Sequence, residues 1–421
     1  MRLILYITFF LILFNFPIPG LHSSLFLAIL IMSIFYLRKW GRNKDFYKLR
    51  ELLKASQFSL VAFLYFGLII FTLVWAFLHG TNDFYIIKGV ILCFITVLVS
   101  VLFIPLAINY LFKKDNFIVE FSRLILIVFT VQSIIQISAF IEPSIAKFVM
   151  FFRKEKIQGF DYGGIRGLAL TGNPYFRLSA GYGLSYISFF YLYFKKKVKF
   201  PVIIFLLLFI GSFFSGRTAF VGLAFAIISY FIYSFVEIRL LFTKTFKFLG
   251  LIIIIVNGII LVYFFFVPEN IRSIVDDKLL PFAFEFIYNY QSTGELSTSS
   301  SDTLSSMYFK VPETTFIYGD GRYMADNGVS YYKYTDAGYM RNLLFYGIFG
   351  LIYIIVSQIL IFINPFLSTM NKNNKLYFLF ILVFSFILHY KGEVLMFSPL
   401  YQSVVVIFSF SYLLKDFRCQ S

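Results

Sequence analysis

Apolar residues run through this chain in long blocks, not at the period of an amphipathic helix or a strand. A membrane-spanning helix needs about 20 apolar residues. By that measure the blocks at 3–16, 23–37, 57–79, 89–112, 118–140, 179–194, 200–214, 218–236, 248–267, 338–363, 376–390 and 398–414 predict about twelve spans, several of them short. Blocks 200–214 and 218–236 together exceed any bilayer, and Ser215-Gly216-Arg217 is the natural break between them. No small-residue cleavage pattern follows residues 3–16, and the second block starts almost at once. The first block is therefore expected to be an uncleaved helix rather than a signal peptide.

Composition agrees. Hydrophobic residues make up 60% of the chain and charged ones only 14%, with a mean hydropathy of +0.83. Soluble domains carry roughly a quarter charged residues, and so apolar a soluble surface would aggregate. The formal charge of +16 does not point to nucleic acid, because the basic residues cluster in short connections between apolar blocks. One cluster is Arg38, Lys39, Arg42, Lys44, Lys48, Arg50 and Lys54; others are Lys113 with Lys114, and Lys195, Lys196, Lys197 with Lys199. Positive short loops mark the cytoplasmic side, so both termini are expected there. Cys93 lies inside an apolar block and Cys419 in the tail, and neither a disulfide nor a metal site is expected.

This topology divides the chain into helices one to five (1–140), a first outer loop (141–178), helices six to nine (179–267), a large outer loop (268–337), and three last helices with a tail (338–421). The large loop holds 10 of the 21 acidic residues, so it is a polar domain and not a connector. It carries the Ser/Thr-rich run 297–301 and the Gly/Tyr-rich stretch Tyr318–Tyr334. Outer loops on a helical scaffold are where chemistry is expected.

The outer arginines are the informative residues: Arg166, Arg177 at the mouth of the next helix, Arg217 at the turn between two spans, and Arg322 and Arg341 flanking the end of the large loop. A guanidinium near the interface must pair or reach water. It also presents the planar fork that grips phosphate oxygens. Snorkelling to headgroups or pairing with loop acids is the plainer alternative. At Arg217 the N-terminus of the following helix also favours anions. Asp336 stands where the large loop meets the membrane. It is either a base with a pKa raised by partial burial or, as the stretch Thr335-Asp336-Ala337-Gly338 favours, a helix N-cap. Asp320 and Asp326 lie in the Gly-rich stretch. Tyr323, Tyr331, Tyr332 and Tyr334 suit sugar stacking or an interfacial belt equally. His22, His79 and His389 read as structural, and Glu120 with Arg123 as an i, i+3 pair on one helix.

Three stretches resemble the O-antigen polymerase and ligase superfamily of bacterial envelope glycosyltransferases. They are Arg166-Gly-Leu-Ala-Leu-Thr-Gly-Asn-Pro174, Gly211-Ser-Phe-Phe-Ser-Gly-Arg-Thr-Ala-Phe220, and Tyr318-Gly-Asp-Gly321 followed by Thr335-Asp-Ala-Gly-Tyr339 and Tyr346-Gly-Ile-Phe-Gly350. The spacing of spans and loops agrees from about 140 to 365; before that only hydropathy does. The resemblance implies a GT-C-like fold and metal-independent, cofactor-free transfer of glycan from an undecaprenyl-diphosphate donor at the periplasmic face of the inner membrane. By position, Arg166 and Arg217 would hold the diphosphate, with Arg322, Arg341 and Arg177 as further candidates, and Asp336 would act on the acceptor hydroxyl. Ligases place a loop histidine there. The large loop here has none, which favours a polymerase, with a chain-length regulator as a possible partner. The alternatives are a ligase transferring glycan to lipid A-core and a transporter or flippase of lipid-linked sugars.

Overall fold

The computed structural model describes residues 2–39, 43–112, 116–153, 167–236, 250, 253–254, 257–258, 261, 263–265, 269–295, 298–369 and 371–413. The described residues are helical apart from turns, loops and one isolated antiparallel bridge, Met324 to Tyr331. The first ten helices are α1 (Arg2–Phe14), α2 (Ser24–Lys39), α3 (Asn43–Lys54), α4 (Ser56–Leu78), α5 (Tyr85–Leu111), α6 (Phe117–Ile141), α7 (Pro143–Phe151), α8 (Phe176–Phe194), α9 (Pro201–Ser215) and α10 (Thr218–Val236). Short helices follow: α11 (Glu269–Ile274), α12 (Leu280–Ala283), α13 (Glu285–Thr293), α14 (Ser299–Ser306) and α15 (Glu313–Tyr318). The chain closes with α16 (Gly338–Ser368), α17 (Lys372–Lys391) and α18 (Pro399–Ser409).

Among the described residues six helices, α4, α5, α6, α10, α16 and α17, are long and apolar enough to cross a membrane. This is an all-α polytopic architecture of the membrane type. Helices α1, α2, α9 and α18 are apolar but shorter. The expected spans 3–16 and 398–414 form helices of 13 and 11 residues. The expected span 248–267 lies largely outside the described residues. Helix α3 occupies a stretch expected only as a basic connection.

The chain forms two compact units: Met1–Asn15, Ser23–Phe121 and Thr303–Ser421 in one, Phe16–His22 and Ser122–Asp302 in the other. In the first, α4 and α16 run antiparallel. Near one end of the pair, Gln57 donates through Nε2 to the Ile361 carbonyl (3.0 Å) and accepts from Asn364 Nδ2 (2.9 Å). Toward the other, Thr72 Oγ1 meets the Tyr346 hydroxyl at 2.7 Å and Phe71 stacks on the Tyr346 ring. With no water in a bilayer core, polar side chains within spans bond to one another across helices.

The last turn of α4 and the connection to α5 clasp the Gly/Tyr-rich stretch. Trp75 Nε1 donates to the Tyr318 carbonyl (2.6 Å), Thr81 Oγ1 to the Gly321 carbonyl (2.6 Å), and Asp83 Oδ2 accepts from the Tyr323 and Met324 amides (2.7 Å each). His79 Nε2 lies 3.1 Å from the Gly319 carbonyl. That stretch in turn crosses α16 where the helix breaks at Gly347 (φ 68°), with Asp320 N donating to Leu344 O (2.6 Å) and Gly321 N to Phe345 O (3.1 Å). A side chain on Gly319 (φ 71°) would overlap the Phe345 carbonyl, and one on Gly347 would overlap the Ile317 carbonyl. The glycines of Tyr318-Gly-Asp-Gly321 and of Tyr346-Gly347 thus let two backbones touch.

In the second unit α8 is buried along almost its whole length and packs on α9 and α10. Its interior hydroxyls are satisfied: Tyr182 donates to Gln136 Oε1 and lies 2.9 Å from Ser133 Oγ, and Tyr186 lies 2.8 Å from Ser212 Oγ. Helices α9 and α10 part at Gly216, the break expected from the sequence.

If the glycine crossing sets the cost, Gly319→Ala will lower the thermal midpoint of the detergent-purified protein by more than Gly328→Ala. Gly328 also has a positive φ (65°) but nothing within 4 Å of an added methyl. Both positions carry the strain of a positive φ. Gly319, at ψ 179°, is held in a region that glycine alone adopts, at about 1–3 kcal/mol, and overpacking of about 1–3 kcal/mol applies only to Gly319. Equal shifts would show that the crossing does not require the glycine.

Candidate functional site

A side chain on Gly338, the first residue of α16, would overlap the carbonyl oxygens of His389 and Gly392. That close approach sets the first turn of α16 against the segment joining α17 to α18. Arg341 of α16 consequently meets Glu393, with Nη1 3.0 Å from Oε2 and side-chain exposures of 7% and 5%. Glu393 also accepts from Asn342 Nδ2 (2.8 Å) and from the Tyr323 hydroxyl. Tyr323 comes from the clasped stretch, where Asp83 fixes its amide and a narrow hairpin returns at Tyr331. The rings of Tyr323 and Tyr331 cover the Arg341 guanidinium, whose carbon lies 3.9 and 3.7 Å from their centroids. Such contacts reach about 2 kcal/mol or more when desolvated.

This leaves one edge of the guanidinium. Arg341 Nε and Nη2 are buried and have no hydrogen-bond partner. They form the side-on fork that receives two oxygens of a carboxylate or phosphate. The Tyr323 phenol is pushed well up in pKa by burial and then by the Glu393 charge, against the pull of Arg341, so it stays protonated and donates to Glu393.

Asp336 does not cap α16. Ala337 occupies the N-cap position without any side-chain cap, and Thr335 Oγ1 accepts from the Ala337 amide (3.3 Å). An extended backbone at Ala337 places the first helical residue, Gly338, two residues beyond the aspartate. The Asp336 residue keeps an exposed surface, yet desolvation of its carboxyl by the groups packed around it raises the pKa, against the opposing charges of Arg341 and Lys391.

The other expected residues are held differently. Arg322 pairs with the exposed Asp326 (2.9 Å). Asp320 accepts from Thr315, from the Tyr332 hydroxyl (3.1 Å) and from Lys333 Nζ (3.1 Å). Tyr323 and Tyr331, which suit sugar stacking or an interfacial belt equally by sequence, stack on Arg341. In the second unit Arg217 pairs with Glu285, whose other oxygen accepts from the Ser299 amide (2.8 Å). Desolvation would raise the Glu285 pKa, but the Ser299 hydrogen bonds and the Arg217 charge together hold it below the usual carboxylate value. Arg177 is half-buried in the first turn of α8. Arg166 lies outside the described residues.

Set beside protein-family models, curated proteins and solved structures, the chain matches none. The site therefore rests on its own geometry. Sequence reasoning named Arg341 and Asp336 but missed Glu393 and Asn342. Glu393 carried a signal: it is the sole acid between the last two apolar blocks.

Removing one partner of a buried pair costs about 3–5 kcal/mol. Glu393→Ala should therefore lower the thermal midpoint strongly, while Asp326→Ala, which breaks an exposed pair, should leave it nearly unchanged. Glu285 holds its proton less tightly folded than unfolded. Its contribution is present at neutral pH and is lost as pH falls through its depressed folded value. Stability measured against pH should slope less steeply on the acid side in Glu285→Gln.

Proposed function

We propose that the chain is an inverting O-antigen polymerase. In this reading it joins undecaprenyl-diphosphate-linked oligosaccharide units at the periplasmic face of the bacterial inner membrane, on a GT-C-like scaffold of about twelve spans. The observation that carries it is the Arg341 edge: two buried, unpartnered donors of a fixed guanidinium at the start of a span, beside the pKa-raised carboxyl of Asp336. The likeness of the three sequence stretches to the superfamily supports the glycan substrate.

The chemistry follows. The acceptor hydroxyl attacks the anomeric carbon and its oxygen forms the new glycosidic bond. The bond to the diphosphate breaks, and its electron pair leaves on the lipid diphosphate. The proton passes to Asp336, whose raised pKa suits a base. Arg341 stabilises the charge that grows on the leaving group; donors of this kind are worth about a hundredfold to a thousandfold in rate. By the sequence likeness alone, Arg166, Arg217, Arg177 and Arg322 are also assigned to the diphosphate.

Gel profiles of lipopolysaccharide test the reading. Arg341→Ala, Arg166→Ala and Arg217→Ala should each give core capped by a single repeat unit. Normal long chains in all three would overturn it, and a deletion strain lacking all O-antigen on the core would point to a ligase. In membrane vesicles the polymerisation rate should rise with pH as Asp336 loses its proton, with a midpoint above that of an ordinary aspartate. Asp336→Asn should remove that limb with most of the activity.

A further inference from the structure

Helix α3 (Asn43–Lys54) lies between two apolar helices, α2 ending at Lys39 and α4 beginning at Ser56. Because α4 is long and apolar enough to cross a membrane, α3 stands where that span meets the bilayer boundary. Its sequence returns to apolar residues at Phe46, Leu49, Leu52 and Leu53, which at 3.6 residues per turn fall within an arc of about 120°. Asp45, in the first turn, is the one charge on that arc. Basic residues border it on both sides, Lys44 and Lys48 along one edge, Arg50 and Lys54 along the other. Across positions 38–54 seven basic residues stand against two acidic ones, so the surface is strongly positive. A helix of this pattern lies in the plane of the headgroups, with its apolar arc toward the acyl chains.

The side chains of the last turn and a half show which side is open. Leu52 is fully buried, and α3 packs on α4 and α5. Arg50 and Lys54, each about 160° around the helix from Leu52, are exposed, and so is Leu53 on the apolar side of the pair. Among the described residues neither Arg50 nor Lys54 has an ion-pair or hydrogen-bond partner, and Glu51, at i, i+3 from Lys54, makes no ion pair with it. The i, i+4 spacing sets Arg50 and Lys54 about 5–6 Å apart at their Cβ atoms, near enough for both heads to reach one phosphodiester.

We propose that α3 is a binding site for an anionic phospholipid, whose phosphate bridges Arg50 and Lys54 while an acyl chain lies along Leu53. The long basic stems suit this, since they can follow apolar surface and still deliver their charge to the headgroup layer. A zwitterionic headgroup carries its own ammonium to these two cations and is disfavoured. The proposal is independent of the glycan reading.

The test is native mass spectrometry of the delipidated full chain in detergent, titrated with dioleoylphosphatidylglycerol or dioleoylphosphatidylcholine. The wild-type protein should bind the first lipid about tenfold more tightly than the second. Arg50→Gln with Lys54→Gln should weaken phosphatidylglycerol binding about 25-fold, about fivefold for each charge. Lys88→Gln with Lys310→Gln removes the same net charge from exposed positions elsewhere and should leave it unchanged. Equal binding of the two lipids by the wild-type protein overturns the proposal. Undiminished binding after loss of Arg50 and Lys54 overturns it too, as does an equal weakening in the control pair, which would reduce the effect to net charge.

Discussion

A guanidinium and a carboxylate withdrawn together from water dominate the first unit. Each ion alone would lose several kcal/mol of hydration on burial, so the fold around Arg341 and Glu393 is arranged to keep them bonded. Asn342 and Tyr323 complete the carboxylate, two aromatic faces cover the cation, and Asp83 pins the backbone that brings Tyr323 there. None of these residues tolerates much displacement, because shifting any of them uncovers a charge. The stiffness of the site is a by-product of satisfying that electrostatic demand.

The same demand explains why chain segments so distant in sequence are tied by polar bonds and not by apolar contact alone. In a bilayer, lipid tails are as apolar as leucine, and apolar contact gives little preference for one helix neighbour over another. Hydrogen bonds such as Gln57 with Asn364, Thr72 with Tyr346 and Gln402 with Gln358 supply that preference. The glycine crossing at 319 and 347 adds shape to it.

Long apolar blocks made the helices legible in the sequence, and six of those among the described residues are long and apolar enough to cross a bilayer. The break between α9 and α10 was equally plain, as Gly216 ends one run and Arg217 precedes the next. Helix α3 was not, because its polar residues resemble those of a loop. Arg341 stood out as a cation at a membrane boundary, yet its partner did not, because pairing with Glu393 depends on how α16 meets the end of α17. The capping motif around Asp336 misled for a similar reason. Local pattern gives the residues that can cap, and the extended backbone at Ala337 moved the helix start past the aspartate. The tyrosines were ambiguous by nature, since a ring face suits a sugar and a guanidinium alike.

The clasp of the last turn of α4 and the connection to α5 on the Gly/Tyr-rich stretch joins residues 240 apart. A ribosome adding about 5–20 residues per second delivers the second partner roughly ten to fifty seconds after the first. Throughout that interval the Asp83 carboxylate, Thr81 and the Trp75 indole have no partners from the Gly/Tyr-rich stretch to bond. The clasp is therefore ordered by translation, and the bonds around Arg341 close only once Glu393, still further along the chain, has been made.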